Sequence, residues 1–163
     1  MKKLITLFSL VLTFGIVTAQ EADFPDFSIP DLKGNKVDVK ALSNEGKPVV
    51  LAFWATWCGP CILELNAINE HIEEWVDETG VKFYAVSIDD SKTVNRVQSM
   101  VNGKGWNFDI LLDTNNELKR LLNIATPPYV VMVKDGKIVY KHVGYQPGSE
   151  FELYEKIKEF SNW

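Results

Sequence analysis

Val49-Val50-Leu51-Ala52-Phe53-Trp54 runs without a polar residue into Ala55-Thr56-Trp57 and then Cys58-Gly59-Pro60-Cys61. Beyond it Ile62, Leu65, Ile68, Ile72, Trp75 and Val76 recur at intervals of three and four. An unbroken apolar run after Gly46-Lys47-Pro48 is the pattern of a strand buried on both faces in a sheet covered by helices. The later spacing predicts a helix from Gly59 to Glu78, stopped by Thr79-Gly80. Strand, turn and helix thus meet at two cysteines, and the chain has no others.

A cysteine pair can be a zinc half-site, a structural staple or a redox dithiol. Structural zinc needs four ligands. The only histidines are His71 and His142, and neither stands at finger spacing from the pair or from the other. A staple across residues three apart closes a very short loop and removes little entropy from the unfolded chain. The redox reading remains, and the position at a helix start gives it a direction. Unpaired N–H groups and the partial positive charge there favour a thiolate at Cys58. Pro60 has no N–H, so Cys61 N–H is the donor placed to reach the Cys58 sulfur. Cys61, inside the first turn, is shielded. Cys58 is therefore expected to attack a substrate disulfide and Cys61 to resolve the mixed disulfide.

The amino terminus carries Lys2 and Lys3, the mostly apolar run Leu4 to Val17, and Val17-Thr18-Ala19 where a signal peptidase would cut. Residues 1–20 read as a signal peptide and 21–163 as one domain. The apolar core of about 14 residues falls short of the roughly 20 that span a bilayer, which makes an uncleaved anchor the lesser reading. No cysteine follows the run to be acylated. Without Lys2 and Lys3 the chain has 15 basic and 22 acidic residues, a net charge of −7. That disfavours nucleic acid or anionic lipid as partners held by bulk charge. The expected location is periplasmic or secreted, where disulfides persist.

The remaining pattern alternates strands with helices. Asp26–Leu32 and Val37–Val39 around Lys33-Gly34-Asn35-Lys36 read as a hairpin. Val81–Ile88 is an expected strand, Ser91–Val101 a helix, and Asn102-Gly103-Lys104-Gly105 a loop. Phe108–Leu112 is a short strand, Asn116–Leu122 a short helix, and Thr126-Pro127-Pro128 a break. Tyr129–Val133 and Ile138–Val143 flank Asp135-Gly136, a tight-turn sequence. Ser149 is the expected cap of a last helix with the apolar face Phe151, Tyr154, Ile157 and Phe160. The fold class is α/β with a central sheet of mixed direction.

Phe53-Trp54-Ala55-Thr56-Trp57-Cys58-Gly59-Pro60-Cys61 resembles the active-site strand, turn and helix start of the thioredoxin superfamily. Thr126-Pro127-Pro128 stands where that family keeps its cis-proline, and Lys134-Asp135-Gly136 follows at the family's distance. The resemblance covers about Phe24 to Trp163. It implies a thioredoxin-like fold, a cis Pro127-Pro128 bond and a substrate-facing patch at Val143-Gly144. Trp57, Gly59, Pro60, Pro127 and Pro128 would join that docking surface. The signal sequence, the added amino-terminal hairpin and the extra helix and strand before Pro128 resemble the secreted TlpA-like and ResA-like thiol-disulfide oxidoreductases. So does Glu64, three residues after the second cysteine. Cytosolic thioredoxin has a buried aspartate where this chain has Ala52, which leaves Glu64 to exchange a proton with Cys61. A glutamate in the first helical turn also complements the dipole, and that reading stands beside the catalytic one.

Two residues depart from the pattern. Asn66 replaces a proline that kinks the first helix in that branch. Pro127 has no N–H for the strand-like pairing of an extended substrate, so weaker peptide docking is expected. The function implied is a monomeric, cofactor-free and metal-free enzyme that reduces disulfides of extracytoplasmic proteins and is re-reduced by a membrane electron-donor thiol oxidoreductase. Alternatives are an oxidant that donates its disulfide, or a Cu(I) module using the two cysteines and His142. A peroxidase would need a proline and threonine at fixed positions before a lone cysteine, and Val50 and Leu51 offer no proline. Trp54 and Trp57 are expected to pack round the turn and cover its sulfurs. His71 is expected mid-helix on a solvated face.

Overall fold

The computed structural model describes residues 22–162, so the signal sequence expected over 1–20 lies outside the described residues. A six-stranded sheet has the order β1-β8-β7-β4-β5-β6. Its centre is β4 (Val49–Trp54), every residue of which is buried. β5 (Lys82–Ser87) lies parallel to β4, and β6 (Asp109–Leu112) parallel to β5. On the other side β7 (Tyr129–Lys134) runs antiparallel to β4, β8 (Lys137–Val143) antiparallel to β7, and β1 (Ala22–Asp23) closes that edge. Asp135 and Gly136 join β7 to β8 with φ of 50° and 73°, the left-handed pair that a two-residue hairpin requires.

The amino-terminal hairpin pairs β2 (Ser28–Pro30) with β3 (Lys36–Asp38) in a separate two-stranded sheet. Asp31 shapes its turn by accepting from the N–H groups of Lys33 and Asn35, both at 2.8 Å. A short α1 (Val39–Ser43) follows, capped by Asp38, whose carboxylate accepts from Ala41 N–H at 2.9 Å. That helix was not expected, because a cap followed by five residues has no periodicity to read.

The helix expected over Gly59–Glu78 is two helices, α2 (Gly59–Asn69) and α3 (Ile72–Thr79). The side chains of Asn66 and Asn69 bind a distant loop. Trp106 Nε1 donates to Asn66 at 3.0 Å and Asn107 N–H to Asn69 at 2.8 Å. At the break His71 N–H turns to the Ile68 carbonyl at 3.0 Å, which tightens the last turn of α2. His71 thus stands before α3 rather than mid-helix, half-buried and stacked on Trp75. The helix expected over Ser91–Val101 is a 3₁₀ turn (Val94–Arg96) followed by α4 (Val97–Lys104). The expected loop at 102–105 is mostly helix because Gly105, at φ 66°, supplies the left-handed end. α5 (Glu117–Leu121) begins over Asp113, which accepts from the N–H groups of Glu117, Leu118 and Lys119.

The last helix, α6 (Ser149–Ser161), is preceded by Gly148 at the cap, so Ser149 is its first residue and not its cap. Its buried line is Glu150, Leu153 and Ile157, while Phe151 is exposed. Tyr154 instead stacks on Trp75 of α3 at 5.1 Å. The expected apolar face was rotated because a buried acid, Glu150, occupies a position that apolar patterning discards. The result is a thioredoxin-like α/β fold with helices flanking a mixed sheet. No helix among the described residues is long and apolar enough to cross a membrane.

Candidate active site at the start of α2

β4 leaves the core at Trp54, and the chain turns with Cys58 N–H donating to the Ala55 carbonyl at 3.0 Å. Thr56 anchors the turn. Its N–H donates to Asp89 Oδ2 at 2.8 Å and its hydroxyl to Asp89 Oδ1 at 2.6 Å. Ser87 Oγ donates to the same Oδ2 at 2.9 Å, and Asp89 is fully buried. Since Trp54 pairs with Ser87 across the parallel ladder, Asp89 sits just past β5 where the chain leaves β4. Sequence reasoning missed Asp89. Its only signal was a place at the carboxyl ends of adjacent parallel strands, where such sheets form their crevices.

Cys58 caps α2 with extended backbone, φ −94° and ψ 95°, and Cys61 N–H donates to its sulfur at 3.3 Å. Gly59 and Pro60 fill the first helical positions and are exposed. Proline suits that place because its absent N–H has no helical partner to lose. Cys58 and Cys61 form a disulfide. Cys61 is wholly buried and Cys58 keeps 6% exposure, so Cys58 offers the sulfur that a thiolate from outside can reach.

The sheet brings a second segment to the same end. Phe53 pairs with Tyr129, which sets Pro128 level with the end of β4. The Pro127-Pro128 bond is cis, Pro128 is buried and Pro127 half-buried. Gly144 N–H donates to the Pro128 carbonyl at 2.9 Å, with Gly144 at φ 82°. Val143, opposite Tyr129 on β8, is 61% exposed, as is Trp57. The two tryptophans therefore differ from the expectation that both cover the sulfurs. Trp54, on the central strand, is buried edge-on to Trp106 at 5.0 Å, whereas Trp57, on the turn, faces solvent.

Behind the dithiol, α2 buries Cys61, Glu64, Leu65 and Ile68 along one side. Glu64 is the sixth residue of α2, in its second turn and not its first, so the dipole account loses its basis. Positions three apart share a helix face, which sets Glu64 behind Cys61. It is only 4% exposed, and its Oε2 has no hydrogen-bond partner. Burial, and after it the like charge of Glu150, push its carboxyl from 4.5 up to about 8. Near neutral pH it is mostly a protonated acid. Ala52, wholly buried on β4, provides no competing carboxylate.

His142 pairs with Val130 across β8 and β7 and stacks its ring on Tyr140. It faces a small cavity shared with Glu64 and Glu150. Among the described residues no three His, Cys, Asp or Glu side chains converge to hold a metal ion.

The sequence profile of the AhpC/TSA family matches residues 21–141. Over 133 residues the chain is 33% identical to thiol-disulfide oxidoreductase ResA of Bacillus anthracis, covering 81% of this chain and 74% of that one. ResA of Bacillus subtilis (strain 168) is 27% identical over 153 residues, covering 93% and 83%. Among solved structures, a thioredoxin-like protein from Porphyromonas gingivalis superposes with a TM-score of 0.72 at 42% identity, covering 85% of this chain and 92% of that one.

Proposed function

We propose that this chain, which belongs to the AhpC/TSA family and is a thiol-disulfide oxidoreductase of the ResA type, reduces disulfides of proteins outside the cytoplasm. The observation that carries the proposal is the Cys58–Cys61 pair at the start of α2, with Cys58 keeping a 6% opening to solvent and Cys61 wholly buried beside a protonated acid. Residues 1–20 are the signal peptide that delivers the domain of residues 21–163 to a periplasmic or extracellular site.

In the forward reaction the Cys58 thiolate attacks a substrate disulfide, releasing one substrate thiolate and leaving a mixed disulfide. Cys61 then gives its proton to the Glu64 carboxylate and attacks Cys58. The Cys58–Cys61 bond forms, the bond to the substrate breaks, and the second substrate sulfur leaves as a thiolate. Two electrons have passed to the substrate. A dithiol donor, a membrane thiol oxidoreductase, attacks Cys58, and Cys61 departs as a thiolate and takes back the Glu64 proton; the donor's second thiolate then attacks the donor sulfur bonded to Cys58, which closes the donor disulfide and releases Cys58 as a thiolate. The acid found beside the closed disulfide is in the state that the opening step needs.

Trp57, Gly59, Pro60, Val143 and Gly144 form the surface on which a substrate segment lies, beside the cis Pro127-Pro128 bond. Pro127 cannot donate to that segment, so one hydrogen bond of strand-like docking is missing.

The test is a Cys61→Ala variant expressed with its own leader, followed by isolation of proteins trapped on Cys58. Mixed disulfides with extracytoplasmic proteins support the proposal. If Cys58 traps nothing, or only proteins that the wild type leaves more oxidised, reduction of such substrates is wrong.

A further inference from the structure

Among the described residues Glu150 is the one other acid that lines the small cavity beside Glu64. It lies at the second position of α6 and is 9% exposed. Its Oε2 accepts from Tyr145 Oη at 3.1 Å and from Gly148 N–H at 2.9 Å, which holds the carboxylate inward. Glu64, Glu150, His142 and Tyr140 line one cavity of about 10 Å³, room for about one water molecule. Its apolar wall is Ile68, Val130 and Leu153. Glu64 Oε2 is a buried atom in this space without a hydrogen-bond partner.

We propose that Glu64 of α2 and Glu150 of α6 work as one proton-exchange pair, with His142 as the outlet of their shared cavity to solvent. This rests on the reading of Glu64 as the acid that serves Cys61. When the donor dithiol opens the Cys58–Cys61 bond, its electron pair goes to Cys61 and the Glu64 proton follows. Glu64 is then left ionised beside Glu150, with no donor to its own Oε2 and a like charge across the cavity. A proton is drawn in from solvent to the pair, through the half-buried imidazole of His142. In the forward reaction the same route runs outward. Glu150 is a positioning residue: it touches neither sulfur and acts by setting how firmly Glu64 holds its proton.

The groups facing Glu64 define what else could act on it. Tyr140 and His142 come from β8, Tyr145 from the loop after it, Ser149 and Glu150 from α6 and Cys61 from its own helix, while β7 contributes the apolar Val130. Burial, then the bond to Glu150, push the Tyr145 phenol up to about 12, so it remains a donor throughout the working range.

The test titrates the oxidised full-length protein, labelled at glutamate side-chain carbons, by NMR, and follows opening of its disulfide by dithiothreitol across pH. In Glu150→Gln, which keeps an acceptor for Tyr145 and Gly148, Glu64 is expected to hold its proton about three- to tenfold less tightly, and the pH profile of disulfide opening to move down by the same factor. Glu150→Asp retains the charge and is expected to keep the wild-type midpoint. An unchanged midpoint in Glu150→Gln, or an equal fall in both variants, overturns the inference. Glu64→Gln separates the two layers. If it leaves the pH profile intact, the reading of Glu64 itself fails. If it removes the profile while Glu150→Gln leaves it in place, only the role of Glu150 fails.

Discussion

Two buried carboxylates flank the same dithiol, and the fold treats them in opposite ways. Asp89 has donors on both oxygens, from the Thr56 N–H, the Thr56 hydroxyl and the Ser87 hydroxyl. Glu64 has an oxygen with no partner, and its neighbour across the cavity is a second acid. A buried acid whose oxygens are satisfied is a strut: Asp89 holds the turn that presents Cys58. One left unsatisfied is kept protonated by the cost of burying its charge, and a proton held that way can be exchanged.

The comparison is broken most directly by pH. Glu64 binds its proton more tightly folded than unfolded, so its contribution to stability is complete below about 4.5 and is lost as pH rises through about 8. The loss has an upper bound of about 3–5 kcal/mol. Urea unfolding of the oxidised protein at pH 5 and pH 8.5 measures it, and Glu64→Gln should flatten the difference and be the more stable form at the higher pH. Equal slopes for the two proteins would falsify the contrast.

Asp89→Ala should behave in the other sense. It leaves the half-buried N–H and hydroxyl of Thr56 and the buried hydroxyl of Ser87 without this acceptor and is expected to cost about 2–4 kcal/mol at pH 7. Asp89→Asn, which retains one oxygen, should cost less. A loss below about 0.5 kcal/mol for the alanine variant would show that the network is not a strut.

Kinetics sharpen the same distinction. Glu64→Gln should slow disulfide opening by dithiothreitol about 100-fold or more at neutral pH, the scale of a lost general acid, with the fold retained. A rate within a factor of two of wild type removes Glu64 from the chemistry.

The smallest effect belongs to the docking surface. Pro127→Thr restores one backbone donor and should quicken attack on a peptide disulfide by up to about tenfold, the worth of one hydrogen bond. A small-molecule disulfide that makes no strand-like contact should show no gain. If both respond alike, Pro127 does not act through docking.

The central strand and the site's two sulfurs were legible in the sequence because their signals are local. Six apolar residues in a row can only be a buried element, and a cysteine before Gly-Pro-Cys at a helix start carries its own electrostatics. The break between α2 and α3 was not legible. Ile68, Ile72 and Trp75 keep a helical interval straight through it, and the side-chain bonds from Asn66 and Asn69 that accompany it go to a loop more than thirty residues away. Glu150 was not legible for a related reason: apolar patterning assigns acids to solvent, and its partner Tyr145 lies in a loop without periodicity.

The sequence by itself determined that a strand delivers two cysteines to the start of a helix, that no third thiol competes with them, and that Pro127 withholds a hydrogen bond. Those facts follow from residue type and short spacing. Tertiary structure alone decided which acids matter and how. Asp89 and Glu64 have the same chemistry along the chain. Sheet register gives the first its donors, and the packing of α6 on α2 gives the second a buried like charge and no donor. Proton affinity depends on what surrounds a group in three dimensions, and that information is non-local in sequence.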